Sequence, residues 1–400
     1  MLRSIVALLL ALALVLGVTA LAYQDRVERL LAVNTLFDED RIVANFSNMR
    51  TLFESRAIPS ADAPDPLAEA VAPLPAAVTT PSGETDVAAF LDDAHVTSLV
   101  ALQGGRIVHE AYFLGTNAGD QRISWSVAKS VLSLAMGRAV ADGLVHLDRS
   151  VESYVPALAG SAYRGVTVRQ ALQMSSGVAF NEDYLDFWSD INRMGRTLAL
   201  GGSMDAFAAG IGERAREPGT ARQYVSIDTH VLAMVLRAAT GRSLPLYVGE
   251  TILAPIGVAG SPHYVTDGDG IAFALGGLNL RTRDFARIGQ LVLNEGSWGG
   301  KEVVPAAWIA ASTAPSAPPP VAPDGFGYGY QWWVPEGYGD VALARGVYGQ
   351  YLWIDRERDV VIAMTGADRG FRESGATEQA LEFMDGLARS VAGTAPRPST

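Results

Sequence analysis

Apolar residues recur every three or four positions through much of the middle of the chain, from about residue 126 to residue 310. Residues with this spacing line one face of an α-helix, so this middle block is predicted to be largely helical. The individual helices are predicted over residues 126–140, 166–174, 228–239 and 283–294. Gly143 is expected to end the first of them, since glycine commonly follows the last turn of a helix.

Runs of β-branched and aromatic residues lie on both sides of this helical block. Two runs within residues 95–113 are separated by Gly104 and Gly105, a pattern typical of a β-hairpin. Later segments predict strands over residues 328–334, 349–354 and 360–364, and a closing helix over residues 378–391. Strands from the two ends of the chain can pair in one antiparallel sheet flanked by helices, with the mainly helical region inserted. We therefore predict an α+β fold with a ligand cleft between its two parts.

The beginning of the chain has a different pattern. Residues 4–23 are uncharged and mostly apolar, and they follow Arg3. A run of about 20 apolar residues can span a bilayer. Small residues at Ala20 and Ala22 also fit a secretory signal peptide that is cleaved after Ala22. A buried core helix is a third alternative. The anchor and the signal peptide both place the remaining chain outside the cytoplasm, either periplasmic or membrane-anchored.

These patterns divide the chain into four segments. Residues 1–23 are the signal peptide or membrane anchor, and residues 24–84 are a partly helical, Pro-rich extension. Residues 85–392 form the main domain, and residues 393–400 are a flexible tail. The oligomeric state is left open.

Composition narrows the classes of function. Hydrophobic residues make up 49% of the chain and charged residues 18%, so a large core can form. The net charge of −12 repels a phosphate backbone, so nucleic acid is not expected as a partner. The chain has no Cys, which excludes disulfides, thiolate metal sites and Cys nucleophiles.

Two other groups of polar residues do not predict a site. The five histidines show no spacing typical of metal ligands, so neither a metal nor a cofactor is expected. Glu182, Asp183 and Asp190 could form a carboxylate cluster, but we interpret them as part of a solvated loop.

The candidate chemistry begins at Ser126 and Lys129, in the sequence SVAK. Positions i and i+3 lie on one face of a helix, so the Lys amine is placed beside the Ser hydroxyl. A Ser nucleophile needs a base to take its proton, and a buried Lys can be that base. Ser-x-x-Lys also occurs by chance. Two observations favour a catalytic role over a chance match. The chain has only two lysines, Lys129 and Lys301, and the apolar residues after Lys129 favour burial of its side chain.

A second candidate is Tyr224, which stands in a loop just before the helix predicted over residues 228–239. Ser226 or Asp228 can cap that helix. Taken alone, this pattern is also typical of a buried aromatic residue followed by a capping Ser.

Together these stretches make the chain resemble serine hydrolases of the β-lactamase/penicillin-binding-protein-like family. The resemblance rests on SVAK at 126–129, on YVS at 224–226 after an EPGT turn, and on residues 166–184, 276–296 and 328–334. It covers about residues 85–390 and is closest to the class C-type branch, especially proteins similar to 6-aminohexanoate-dimer hydrolase.

The resemblance implies a role for each matching residue. Ser126 is expected to be the acylated nucleophile, Lys129 its base, and Tyr224 the proton relay to the leaving group. Ser226 occupies the third position of the Y-x-S element, and Tyr184 is expected to touch the substrate. The implied oxyanion hole uses the backbone N–H of Ser126 and one from the strand near Val347.

The third motif of the family, K-T-G or H-x-G, is not intact. Its best match is Ala344-Arg345-Gly346, which keeps the Gly and displaces the cation. Arg345 is expected either to bind an anion or to point outward as a surface residue. In the family this motif binds a substrate carboxylate, so its change points away from β-lactamase or carboxypeptidase activity.

The sequence thus predicts a serine hydrolase that cleaves a small amide or ester through an acyl-Ser126 intermediate. One alternative is a β-lactamase or D-amino-acid peptidase of the same fold. The other is a non-catalytic ligand-binding or sensor module, which the altered third motif favours and the intact Ser126, Lys129 and Tyr224 disfavour.

Overall fold

The computed structural model describes residues 5–6, 10–15, 17–18, 24–62 and 66–394. The described residues before position 24 are helical and have exposed side chains. Within the described part of the chain, none of the helices combines the length and apolar character needed to cross a bilayer. The predicted cleavage point after Ala22 and most of the predicted tail lie outside the described residues.

The strands are short except in the central sheet. In chain order they are β1 (Ser55–Ala57), β2 (Ala68–Glu69), β3 (Ala77–Thr80), β4 (Gly83–Asp86), β5 (Val96–Gln103), β6 (Arg106–Tyr112), β7 (Arg122–Ile123), β8 (His263–Val265), β9 (Leu278–Leu280), β10 (Ser297–Trp298), β11 (Lys301–Glu302), β12 (Phe326–Tyr328), β13 (Trp333–Pro335), β14 (Val341–Gly346), β15 (Gln350–Asp355) and β16 (Val360–Gly366).

Most of the helices lie between β7 and β12, as the apolar spacing predicts. In chain order they are α1 (Gln24–Asn34), α2 (Ile42–Ser47), α3 (Met49–Leu52), α4 (Val87–Asp93), α5 (Val127–Ala141), α6 (Val168–Leu172), α7 (Asp190–Ala199), α8 (Met204–Ala209), α9 (Ile227–Thr240), α10 (Leu244–Val248), α11 (Thr282–Leu293), α12 (Ala306–Thr313) and α13 (Ala376–Thr394).

The central sheet joins the two ends of the chain. Its strand order is β12-β13-β14-β15-β16-β5-β6-β2, and β16 pairs antiparallel with β5. The predicted hairpin forms β5 and β6, with Gly104 and Gly105 in the turn at φ +54° and +71°. The predicted α+β fold is confirmed, with strands from both ends in one sheet and the helical block inserted.

The sheet buries both of its faces, which follows from the alternation of side chains along a strand. In β16, Val361 and Ala363 belong to the main core, which also includes residues of α5 and α11. Val360 and Ile362 point the other way, into a second core that includes residues of α13. Hence β16 is apolar at nearly every position rather than at every second one.

A second, smaller sheet leads directly to the predicted nucleophile. Its order is β1-β8-β9-β7, and β7 pairs with β9 immediately before α5 begins. Strands of two or three residues are too short to show a clear alternation of apolar and polar residues, so this sheet was not predicted from the sequence.

Two predicted elements differ from the structure. The segment predicted as one strand over residues 328–334 is broken, because Gln331 adopts φ +64° between β12 and β13. The Gln331 side chain accepts a hydrogen bond from Thr229 and donates one to the carbonyl of Leu172, which ties it to the helical block. The helix predicted over residues 166–174 is shorter, Val168–Leu172, and a capping box of Thr167 and Gln170 begins it.

The segment before the main domain is part of the same core. Leu36, Phe46 and Phe53 are buried in the cluster that also contains residues of α5 and α9. The Pro-rich stretch contributes short strands, with β2 parallel to β6 and β3 antiparallel to β4.

Candidate active site

Ser126 lies at the N-terminal end of α5, directly after the small sheet. The preceding residue, Trp125, has φ +43°, a left-handed conformation that is uncommon for any residue with a bulky side chain. Its ring is packed among the rings of Phe37, Phe46 and Tyr348, with centroid distances of 5.8, 5.4 and 6.1 Å. Aromatic packing, partly from the N-terminal extension, therefore holds the backbone turn that presents Ser126.

Lys129 is placed beside Ser126 by one turn of α5, as the i, i+3 spacing predicts. Its Nζ donates to Ser126 Oγ at 2.9 Å and to the carbonyl oxygen of Leu275 at 2.7 Å. The side chain is only 2% exposed. Burial lowers the pKa of Lys129 from 10.5 to about 7, and the negative charge of Glu182 opposes this shift. The amine can therefore be neutral at ordinary pH and can accept a proton.

Tyr224 faces the same two residues from the loop before α9. The Ser126 side chain acts on its hydroxyl and lowers its pKa, and Lys129 Nζ lies 5.3 Å from the centroid of its ring. The ring is stacked on Trp333 at a centroid distance of 5.2 Å. Burial, followed by the charge of Glu182, raises the pKa of the Tyr224 hydroxyl well above its usual range. Tyr224 is therefore a protonated phenol at neutral pH, able to donate a proton.

Glu182 connects two predicted site residues. Its carboxylate accepts hydrogen bonds from the Tyr184 hydroxyl at 2.7 Å, from the Ser226 backbone N–H at 2.8 Å, and from the Ser226 hydroxyl. The interpretation of Glu182 as part of a solvated loop was therefore wrong, whereas Asp183 does lie at the surface, paired with Arg372. Ser226 occupies the N-cap position of α9, but its hydroxyl binds Glu182 instead of capping the helix.

The strand β14 passes close to the backbone of the nucleophile. A Cβ on Gly346 would lie 2.7 Å from the Ser124 carbonyl oxygen and 2.9 Å from the Ser126 nitrogen, so only glycine fits there. Val347 follows in the turn to β15 and lines the cleft with Ser126. Gln350 secures this turn by donating to the carbonyl oxygens of Tyr348 at 3.0 Å and Gly366 at 2.9 Å.

Arg345 lines the cleft instead of pointing outward. Its guanidinium lies 4.7 Å from the ring centroid of Phe326 and 4.4 Å from that of Trp333, and the residue is half-buried. The alternative of an outward surface Arg is therefore wrong. Arg345 also lowers the pKa of Tyr224, although less than burial raises it.

The cleft continues on both sides of Ser126. On one side lie Tyr224, Glu182, Arg345 and Trp333. On the other side is a cavity of about 360 Å³ with a mainly apolar lining. The cavity volume falls within the usual range for small-molecule sites. Among the described residues, no group of three or more His, Asp or Glu side chains could hold a metal ion.

The structure thus brings together every site residue that the sequence predicted: Ser126, Lys129, Tyr224, Tyr184, Ser226, Arg345, Gly346 and Val347. It adds Glu182, the Leu275 carbonyl, and Phe37 of the N-terminal extension. The spacing of Glu182 and Tyr184 was a usable clue, because residues two apart lie on one side of an extended segment.

Comparison with known proteins agrees with this geometry. The family model described as beta-lactamase matches residues 85–382 of the chain. The 6-aminohexanoate-dimer hydrolase of Paenarthrobacter ureafaciens is 29% identical over 329 residues, which cover 79% of this chain and 83% of that protein.

Solved structures show the same fold. A Bacillus anthracis protein, provisionally described as a 6-aminohexanoate-dimer hydrolase, matches with a TM-score of 0.78 at 23% identity, covering 89% of this chain and 95% of that one. A D-stereospecific amidohydrolase from Streptomyces sp. matches with a TM-score of 0.56 at 19% identity, covering 74% of this chain and 98% of that one.

Proposed function

The chain belongs to the beta-lactamase family and is a serine hydrolase, and from this premise we propose that it cleaves a small amide or ester through an acyl-Ser126 intermediate. The observation that carries the proposal is the contact of 2.9 Å between Ser126 Oγ and the buried amine of Lys129. A buried amine that can be neutral, held against a hydroxyl, is the arrangement that activates a Ser nucleophile.

Acylation begins with proton transfer from Ser126 to Lys129. The neutral Nζ takes the hydroxyl proton while Oγ attacks the carbonyl carbon of the substrate, which gives a tetrahedral oxyanion and a Lys129 ammonium. The Leu275 carbonyl, 2.7 Å from Nζ, stabilises the ammonium once it forms.

The oxyanion is bound by backbone N–H groups. Ser126 supplies one at the beginning of α5, where the N–H groups of a helix lack partners within the helix. Val347 supplies the second from the turn after β14, and Gly346 allows that strand to come close enough. Both groups lie at the junction of the two sides of the cleft.

Tyr224 completes the reaction by protonating the leaving group. Its phenol gives a proton to the departing nitrogen or oxygen as the C–N or C–O bond breaks, and the nearby Lys129 ammonium restores that proton. Water then attacks the acyl-Ser126 carbonyl and loses a proton to Lys129. Lys129 returns this proton to Ser126 Oγ as the C–Oγ bond breaks, which releases the carboxylic acid and the free Ser126. An amine in place of water would give acyl transfer instead of hydrolysis.

The proposal is tested with a fluorophosphonate probe, which reacts only with an activated Ser. We expect one adduct, located by mass spectrometry on the peptide that contains Ser126, and no adduct in Ser126→Ala. Absence of labelling in a chain that is folded by circular dichroism would instead favour the non-catalytic ligand-binding module.

We further propose that the protein is exported, because the apolar run over residues 4–23 has the length and flanking residues of a signal peptide or anchor. N-terminal sequencing of the mature protein tests this. A start at Tyr23 indicates cleavage, a retained segment in the membrane fraction indicates an anchor, and a retained segment in the cytoplasm contradicts export.

A further inference from the structure

The two sides of the cleft differ in chemistry, and the catalytic residues indicate which part of the substrate lies on each side. Tyr224 lines the side that also holds Glu182 and Arg345, but it does not line the apolar cavity. The proton donor must be near the leaving group. Given the proposed acyl-Ser126 mechanism, on which this step rests, the leaving group occupies the polar side and the acyl group occupies the cavity.

The cavity is built from apolar side chains of several elements. The N-terminal extension contributes Phe37, Met49 and Phe53, α7 contributes Met194 and Leu198, and the loop before β9 contributes Phe273. At the cavity mouth, Leu185 and Phe187 are exposed by 80% and 57%. Such exposed apolar groups at the rim of a site favour an apolar ligand.

The described residues that line the cavity include no Asp or Glu. One Arg is present, Arg196, but its guanidinium lies 4.1 Å from the ring centroid of Phe187 and donates to the Phe187 carbonyl at 2.7 Å. The amide of Asn192 likewise donates to the backbone oxygens of Tyr184 and Asp186. The cavity therefore offers no carboxylate to pair with a cation, and burial of an unpaired ammonium is strongly unfavourable.

We propose that the acyl side of the site selects an uncharged, apolar acyl chain and rejects one that ends in an ammonium group. The Paenarthrobacter relative is named for a substrate with a different acyl group, because the acyl half of a 6-aminohexanoate dimer ends in an amine. The leaving group is not restricted by this reasoning.

The test compares p-nitrophenyl esters of different acyl groups with the full chain. From acetate to butyrate to hexanoate, kcat/KM should rise about fourfold for each added methylene that enters the cavity. The 6-aminohexanoate ester should be at least about a hundredfold poorer than the hexanoate ester, which has the same chain length.

A variant at Gly195 tests the charge argument separately. Gly195 lies within α7 and lines the cavity, and a Cβ added there meets no atom within 4 Å. Gly195→Asp places a carboxylate at the cavity, so the rate ratio of 6-aminohexanoate ester to hexanoate ester should rise about tenfold or more. Gly195→Asn is the matched neutral control and should leave that ratio unchanged.

The outcomes separate this inference from the proposed function. If Ser126 is labelled and acetate is hydrolysed, but chain length has no effect or the 6-aminohexanoate ester matches the hexanoate ester, the acyl assignment is overturned and the acyl-Ser126 mechanism stands. If Ser126 is neither labelled by the probe nor acylated by any ester, both are overturned. Labelling by the probe also shows whether each Gly195 variant retains a folded site. The ester series measured with the wild-type protein tests the inference without any variant.

Discussion

The reaction should depend on pH through Lys129, because only a neutral amine can accept the Ser126 proton. Burial lowers the pKa of Lys129 from 10.5 to about 7, against the opposing charge of Glu182. At pH 7 about half of the molecules then carry the neutral amine, whereas an amine with a pKa of 10.5 would be neutral in only about 0.03% of them. Burial therefore raises the reactive fraction by roughly a thousandfold.

The assay is kcat/KM for a p-nitrophenyl ester over about pH 5 to pH 9, since this constant reports pKa values of the free enzyme. We expect the rate to rise about tenfold per pH unit on the acid side, with a midpoint near 7, and then to level off. Glu182→Gln removes a charge that raises the pKa of Lys129, so it should move the midpoint to lower pH.

Lys129→Arg is the matched control, because it keeps the positive charge and cannot lose a proton in this range. It should lower kcat/KM by about 10²–10⁴-fold. The reasoning is refuted if the wild-type midpoint lies above about pH 9, where an unperturbed amine titrates, or if Lys129→Arg keeps both the rate and the pH profile of the wild type.

Three further predictions follow from the same contacts. Tyr224→Phe should lower amide hydrolysis by about 10²–10⁴-fold but p-nitrophenyl ester hydrolysis much less, since p-nitrophenolate leaves without a proton; equal losses would contradict this role. Gly346→Ala should reduce fluorophosphonate labelling, because its Cβ would lie 2.7 Å from the Ser124 carbonyl oxygen. Unchanged labelling would show that β14 can move enough to make room for the Cβ. Lys129→Met should be inactive but more stable by up to about 4 kcal/mol at pH 7, measured by urea unfolding. The unfolded chain binds more protons between about pH 7 and pH 10.5, so this gain should shrink as pH rises; a gain that is constant with pH would contradict it.

The local part of the site could be predicted from the sequence. The contact between Ser126 and Lys129 depends only on helix geometry, and the apolar residues after Lys129 already indicated burial. The sequence also predicted that strands from the two ends of the chain share one sheet, and in the structure β5 and β16 make this connection.

The parts that depend on distant residues could not be predicted. Glu182 binds Ser226, 44 residues away, and its spacing from Tyr184 does not indicate this distant partner. Phe37 reaches Trp125 and Tyr348 only because the extension packs into the main core. The break at Gln331 likewise reflects its hydrogen bonds to Thr229 and Leu172, which override the local preference for a strand.

The central claim is that Ser126 carries the acyl group during turnover. The most direct measurement is mass spectrometry of the enzyme quenched in acid while it hydrolyses p-nitrophenyl hexanoate. We predict a mass increase equal to one hexanoyl group, located on the peptide that contains Ser126 and absent from Ser126→Ala. Continued hydrolysis with no acylated peptide, or with the acyl group on another residue, would contradict the account.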